Sequence, residues 1–170
     1  MPELIEPTVE LWDSWLESSR EASQDGAGLW EADDPTTVEG FAVWVEGCVS
    51  RADDSRALAP DRVHATYWWI VEDGNYLGVI TLRHALNEKL LAGGGHIGSG
   101  VRPSARGRGL VSWTLGQVLD RARARGIDRV LVTCTDDNTA SAKTIERNGG
   151  VLEDIRETWL GTTRRYWIEL

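Results

Sequence analysis

The sequence predicts an α+β domain built on a mixed sheet, and three stretches carry that prediction. A β-rich hairpin spans His64 to Leu82, with Asp73-Gly74-Asn75 as its turn. The glycine-rich, basic segment from Gly95 to Leu110 reads as a strand that stops at Pro103, a short loop and the start of a helix. The apolar run Arg129-Val130-Leu131-Val132-Thr133-Cys134 then reads as a buried strand. Strands and helices are mixed along the chain rather than strictly alternating, which favours α+β over a doubly wound fold.

Taken in order, a short extended segment near Leu4-Ile5 precedes a helix over Pro7 to Ala22, where Leu11, Trp12, Trp15 and Leu16 share one face. Ser23 to Gly28 is polar and reads as a loop. A second helix starts near Pro35 and turns Phe41, Val45 and Cys48 inward, and Arg51 to Asp61 is a charged connection. After the hairpin, Leu82 to Gly94 leads into the strand at Gly95. The main helix, Leu110 to Arg125, buries Leu110, Val111, Leu115, Val118, Leu119 and Ala122. Arg121, Arg123 and Arg125 complement the dipole of its last turn, and Gly126 stops it. A helix over Asn138 to Asn148 closes at Gly149-Gly150. Val151 to Thr158 and Thr163 to Leu170 read as two final antiparallel strands.

Composition narrows the function. At 170 residues, 41% hydrophobic and 26% charged, the chain has the size and balance of one globular domain. No apolar run approaches the ~20 residues that span a bilayer, and the acidic start Met1-Pro2-Glu3 lacks a secretory pattern. Cys48 and Cys134 offer neither a disulfide framework nor a metal site, so no metal and a cytoplasmic location are expected. A net charge of −9 argues against nucleic acid. It fits a cationic amine drawn to an acidic cleft, and equally an acidic surface that only keeps the protein in solution. The nine tryptophans are scattered, which assigns most of them to packing.

The basic loop is where chemistry concentrates. Helix starts present unpaired N–H groups and the positive end of the dipole, so they bind anions. Gly107 and Gly109 admit close backbone approach, and Arg106 and Arg108 add charge. A polyphosphate is the natural guest. The Lys-Ser/Thr pair of a P-loop is absent, and no Gly-x-Gly-x-x-Gly opens a βαβ unit, which disfavours an ATP or dinucleotide site.

Val101-Arg102-Pro103 followed by Arg106-Gly107-Arg108-Gly109-Leu110-Val111 resembles the acyl-CoA-binding motif of the GNAT (Gcn5-related N-acetyltransferase) superfamily. Asp137-Asn138-Thr139-Ala140-Ser141, leading to Asn148-Gly149-Gly150, resembles its second motif, one helix and one strand downstream. Gly95-His96-Ile97-Gly98 with Leu82-Arg83-His84 resembles one branch of predicted acetyltransferases. The resemblance implies a single domain over residues 1–170. Its sheet would be mostly antiparallel, with helices on both faces and strands splayed at the cofactor. Residues 63–170 would form the acyl-CoA-binding core, and residues 1–62 a helical part shaping the acceptor site.

It further implies acetyl-CoA as cosubstrate, its pantetheine pairing with the backbone of Gly100 and Val101. The pyrophosphate would lie on the N–H groups of Arg106, Gly107, Arg108, Gly109 and Leu110. Asn138 and Ser141 would flank the pantetheine, although both residue types also serve as helix caps. The reaction would be direct attack of an amine on the thioester. Such an attack needs a base, and the thiolate needs a proton.

His96 is the expected catalytic base, having an intrinsic pKa near 6.5 and a face shared with Gly98 and Gly100. A hydrogen-bonded structural histidine is the other reading, and His84, Glu153 and Glu157 are further candidates. Two departures from the family stand out: Ile145 occupies the position of the usual tyrosine acid, leaving Tyr67, Tyr166 or water, and Val111 replaces Gly or Ala. The expectation is therefore an N-acetyltransferase acting on a small molecule or peptide amine. The alternative is an inactive acyl-CoA-binding module. A homodimer is compatible with either.

Overall fold

The computed structural model describes residues 1–25 and 35–170. The expected loop positions Gly26 to Gly28, and Trp30, lie outside the described residues. Seven strands form one sheet: β1 (Glu3–Ile5), β2 (Ala65–Glu72), β3 (Asn75–Arg83), β4 (Ile97–Val101), β5 (Arg129–Thr135), β6 (Val151–Thr158) and β7 (Gly161–Glu169). Their spatial order is β1-β2-β3-β4-β5-β7-β6. Every neighbouring pair is antiparallel except β4 and β5, which are parallel. The sheet is thus mixed and mostly antiparallel, as the sequence implied.

Helices cover both faces. Helices α1 (Trp12–Gln24) and α2 (Val38–Ser50) pack Trp15, Phe41 and Val45 onto Trp69, Val71 and Tyr76. Helices α4 (Leu110–Ala124) and α5 (Thr139–Arg147) pack Leu115, Val118, Ala142 and Ile145 onto Ile80, Leu82, Val130, Val132 and Tyr166. The tryptophans are less scattered in space than in sequence. Trp12, Trp15, Trp44 and Trp69 gather around Phe41, with neighbouring ring centroids 5.0 to 6.2 Å apart.

Local chemistry sets the boundaries. The first helix begins at Trp12 rather than Pro7, because Val9–Leu11 forms a 3₁₀ turn whose Glu10 N–H donates to Thr8 Oγ1. Helix α2 begins at Val38, where Thr37 Oγ1 accepts from the Gly40 N–H at 3.0 Å. The sequence reading missed α3 (Glu88–Ala92), capped by Asn87 Oδ1 on the Leu90 N–H at 2.9 Å. Five residues are too few to show a helical period.

Candidate active site

The parallel pair is the structural opening. β4 and β5 meet at one register position, Ile97 opposite Val132, and part from there toward their C-terminal ends. The junction itself is tightly tied. The His96 N–H donates to the Leu131 carbonyl at 2.7 Å, and the Leu131 N–H donates to His96 Nδ1 at 2.9 Å. An imidazole thus takes the place of a ladder carbonyl. Gly95 must be glycine here: its φ is +62°, and a Cβ would lie 2.3 Å from the Leu131 carbonyl oxygen. On the other edge of β4, Gly78 lets β3 approach so closely that a Cβ would sit 2.2 Å from Gly100 O. β4 is therefore pinned to β3 while its other edge faces the gap.

At the mouth of the gap lies the basic loop. After a 3₁₀ turn over Pro103–Ala105, Gly107 and Gly109 take φ of +77° and +76°, and nothing lies within 4 Å of a Cβ built on either. Gly109 is the N-cap of α4 and supplies no side-chain cap. Among the described residues, the N–H groups of Gly107 through Ser112 have no hydrogen-bond partner. This is an open cradle of amides at a helix N-terminus, which fits a pyrophosphate. The two loop arginines are each engaged by a carboxylate. Arg106 pairs with Asp25 at 2.6 Å and Arg108 with Glu72 at 2.5 Å.

Arg102, the middle residue of Val-Arg-Pro, is only 7% exposed. It pairs with Glu21 and Glu17 on α1 and donates to the Tyr76 carbonyl at 3.2 Å. Glu21 in turn accepts from the Ser104 hydroxyl and N–H. The Arg102 hydrogen bond is the main reason that the Glu21 carboxyl is held down at about 2. The sequence reading passed over Arg102, since its acidic partners lie some eighty residues upstream.

A cleft of about 1420 Å³ runs from the amide cradle, along the parted strands, to the helices over residues 1–62. Gly100, Val101, Arg106, Gly107, Gly109, Leu110, Asn138 and Ser141 all line it. Arg108 does not. Asn138 Oδ1 accepts from the Ser141 N–H at 3.1 Å, so Asn138 caps α5, and its amide nitrogen has no partner among the described residues. At the other end Trp44, Arg51, Arg62, Tyr67, Trp69, Thr81 and Arg83 form the wall. Arg51 Nη1 donates to the Tyr67 hydroxyl at 2.8 Å. Among the described residues, no carboxylate lines the cleft.

The structure places the proposed proton carriers mostly outside this cleft. His96 does not line it: the ring is edge-on to Trp167, with Nδ1 occupied by Leu131. Burial, with Arg83 nearby, pushes its pKa down to about 4. This is a ladder histidine rather than a base in reach of the cleft. His84 lies in a separate hollow, between Asp54 on Nδ1 at 2.7 Å and Thr66 on Nε2 at 2.8 Å. Glu153 is engaged by Arg165 and Trp167, Glu157 by Thr162. Tyr166 donates to Glu146 at 3.1 Å outside the cleft, so of the two candidate phenols only Tyr67 lines it. No cluster of three metal-ligating side chains occurs among the described residues, and no described helix is long and apolar enough to cross a membrane.

A sheet parted between the only parallel neighbours among the described residues, with an amide cradle at the mouth, suits an acyltransferase that docks an extended, phosphate-bearing cosubstrate into the sheet. The comparisons agree. The acetyltransferase (GNAT) domain matches residues 6–151, and the chain belongs to that family.

Similar solved structures include the microcin C7 self-immunity acetyltransferase MccE in complex with acetyl-CoA and AMP (TM-score 0.76, 14% identity, 99% of this chain and 92% of that one). The ribosomal L7/L12 α-N-protein acetyltransferase RimL with coenzyme A gives 0.72 at 19% identity, over 99% and 94%. The ribosomal-protein-S5-alanine acetyltransferase from Vibrio fischeri gives 0.73 at 17%, over 99% and 91%. At these identities the likeness establishes the fold. No curated protein sequence matches the chain.

Proposed function

We propose that the protein transfers an acetyl group from acetyl-CoA to an amine of a small molecule or peptide by direct attack, in the cytoplasm. The observation that carries this reading is the gap between β4 and β5 with free amides at its mouth. The N–H groups of Gly107 to Ser112 would hold the pyrophosphate. The backbone of Gly100 and Val101 would pair with the pantetheine as a strand does, and the Asn138 amide would contact the same arm. Acetyl-CoA supplies an activated acyl carbon as its thioester. The amine nitrogen forms the new bond to that carbon as the bond to sulfur breaks, the amine loses a proton and the thiolate gains one.

Of the residues in the cleft, the Tyr67 phenol, steadied by Arg51, is the group best placed to pass a proton, with water as the relay. The helical part over residues 1–62 shapes the acceptor end, to which Trp44, Arg51 and Arg62 contribute.

The test is thermal unfolding with acetyl-CoA, with ATP and NAD as controls, followed by thiol release in the presence of amines. A ligand at a hundred times its Kd adds about 2.7 kcal/mol, a rise of roughly 2–8 °C in the midpoint. No shift at millimolar acetyl-CoA overturns the proposal. A shift without thiol release toward any amine favours a binding module, the reading that the isoleucine at position 145 supports.

A further inference from the structure

The acceptor end of the cleft contains two polar groups with nothing to bond. Thr81 Oγ1 and Trp69 Nε1 are buried, have no hydrogen-bond partner among the described residues, and belong to residues that line the cleft. Thr81 is 2% exposed and Trp69 is fully covered. Buried hydroxyls and indole N–H groups are ordinarily satisfied, because leaving them bare forfeits the hydrogen bonds they made in water. Two such orphans on neighbouring strands call for a reason.

Register supplies it. Directly opposed residues in an antiparallel ladder share a face, so Tyr67, Thr81 and Gly98 form one cross-strand row, and Trp69, Val79 and Gly100 the next. Both rows lie on the face covered by α1 and α2. In each row the β4 position is a glycine, so no side chain stands between the β3 residue and the parted edge of β4. Strands are spaced about 4.8 Å apart, which puts the Thr81 hydroxyl one strand from the backbone that would carry the thioester.

We infer that Thr81 and Trp69 are the acceptor-binding groups of the transfer reaction. The Thr81 hydroxyl accepts a hydrogen bond from the attacking amine and aims its lone pair across Gly98. The Trp69 N–H, which can only donate, meets an oxygen of the acceptor. The acceptor class is therefore an amine with a carbonyl or carboxylate oxygen close by. The inference rests on the acetyltransferase reading and adds to it the residues that choose the acceptor.

The experiment compares alaninamide with isopropylamine, which replaces the carboxamide by a methyl group, in thiol release from acetyl-CoA, with rates expressed per concentration of neutral amine because the carboxamide lowers the basicity of the nitrogen. The wild type is expected to favour alaninamide by about tenfold or more in kcat/KM. Thr81→Val, which keeps the shape and removes the hydroxyl, is expected to lower that value by at least about tenfold. Its acetyl-CoA-induced midpoint shift stays as in the wild type. Thr81→Ser retains activity, and Trp69→Phe erases the preference between the two amines.

If Thr81 serves only the fold, Thr81→Val turns over as the wild type does and unfolds at a higher temperature, since an orphan has been removed. That result overturns the inference. So does a wild type that shifts with acetyl-CoA yet treats the two amines alike or acetylates neither. Loss of the acetyl-CoA shift in the wild type instead sinks the underlying acetyltransferase reading, and is thereby told apart.

Discussion

The two ends of the cleft are built from different materials. The end proposed for the cosubstrate is backbone: amides of one loop, a glycine N-cap, and the open edge of one strand. The end proposed for the acceptor is side chains drawn from α2, β2, β3 and the 51–62 connection. A backbone cradle needs a short run of glycines and can be written in consecutive residues. A side-chain wall needs residues that meet only once the sheet is assembled.

The largest effect should come from filling the cradle. Gly109→Trp places a bulky group in open space at a positive φ that non-glycine residues resist. Acetyl-CoA should then produce no shift in the unfolding midpoint, while the apo protein still folds. A protein that still shifts would show that the phosphates lie elsewhere.

Next is the clamp beneath the loop. Arg102→Ala leaves Glu21 without its guanidinium and the Tyr76 carbonyl without a donor. The expected cost is about 3 kcal/mol, below the fully buried extreme because both carboxylates keep contact with water. Urea unfolding measures it, and a change under about 1 kcal/mol, the ceiling of an ordinary surface pair, would remove Arg102 from the scaffold.

The third prediction concerns pH. His96 is held near 4 in the fold against an ordinary 6.5, so the folded state binds fewer protons between these values. Its contribution is complete above about pH 6.5 and is lost as pH falls toward 4. The loss amounts to about 2 kcal/mol in all, once partial contact of the ring with water is allowed for. His96→Ala should flatten that segment of the stability profile. A flattening centred above about pH 7, beyond the ordinary histidine range, would contradict the ladder role.

The smallest effect is expected at the loop arginines. Asp25→Asn releases Arg106 from an exposed ion pair, which contributes little to stability. Acetyl-CoA should bind about two- to threefold tighter at low salt, with the gain fading as salt rises. Titrations at two ionic strengths decide it.

The same division governs what the sequence could reveal. Val101-Arg102-Pro103, Gly107 and Gly109 are adjacent letters with one physical meaning, and the main helix followed by a buried strand sets the family's spacing. The sheet class was legible from these segments, and the two helical layers and the gap from the family resemblance they carry. Thr81 was not, because nothing beside it in the chain shows that it faces Gly98 across a ladder or lacks a partner. The surroundings of His96 were hidden for a related reason. Its neighbours in sequence are glycines, whereas the group that occupies its Nδ1 is Leu131, on another strand. The missing tyrosine at Ile145 was visible, but its stand-in depended on which of Tyr67 and Tyr166 the fold would turn toward the cleft.

The His96–Leu131 tie acts as a fulcrum. From that point to Val101 the strand extends about 13–17 Å, at roughly 3.3 Å per residue, free of β5 for most of its length. β4 is paired with β3 over that whole length, so a rotation of about five degrees of the pair at the junction would swing its far end by more than an ångström, a displacement that can cost about a hundredfold in rate. His96, buried and outside the cleft, ties β4 to β5 at the point from which the two strands part.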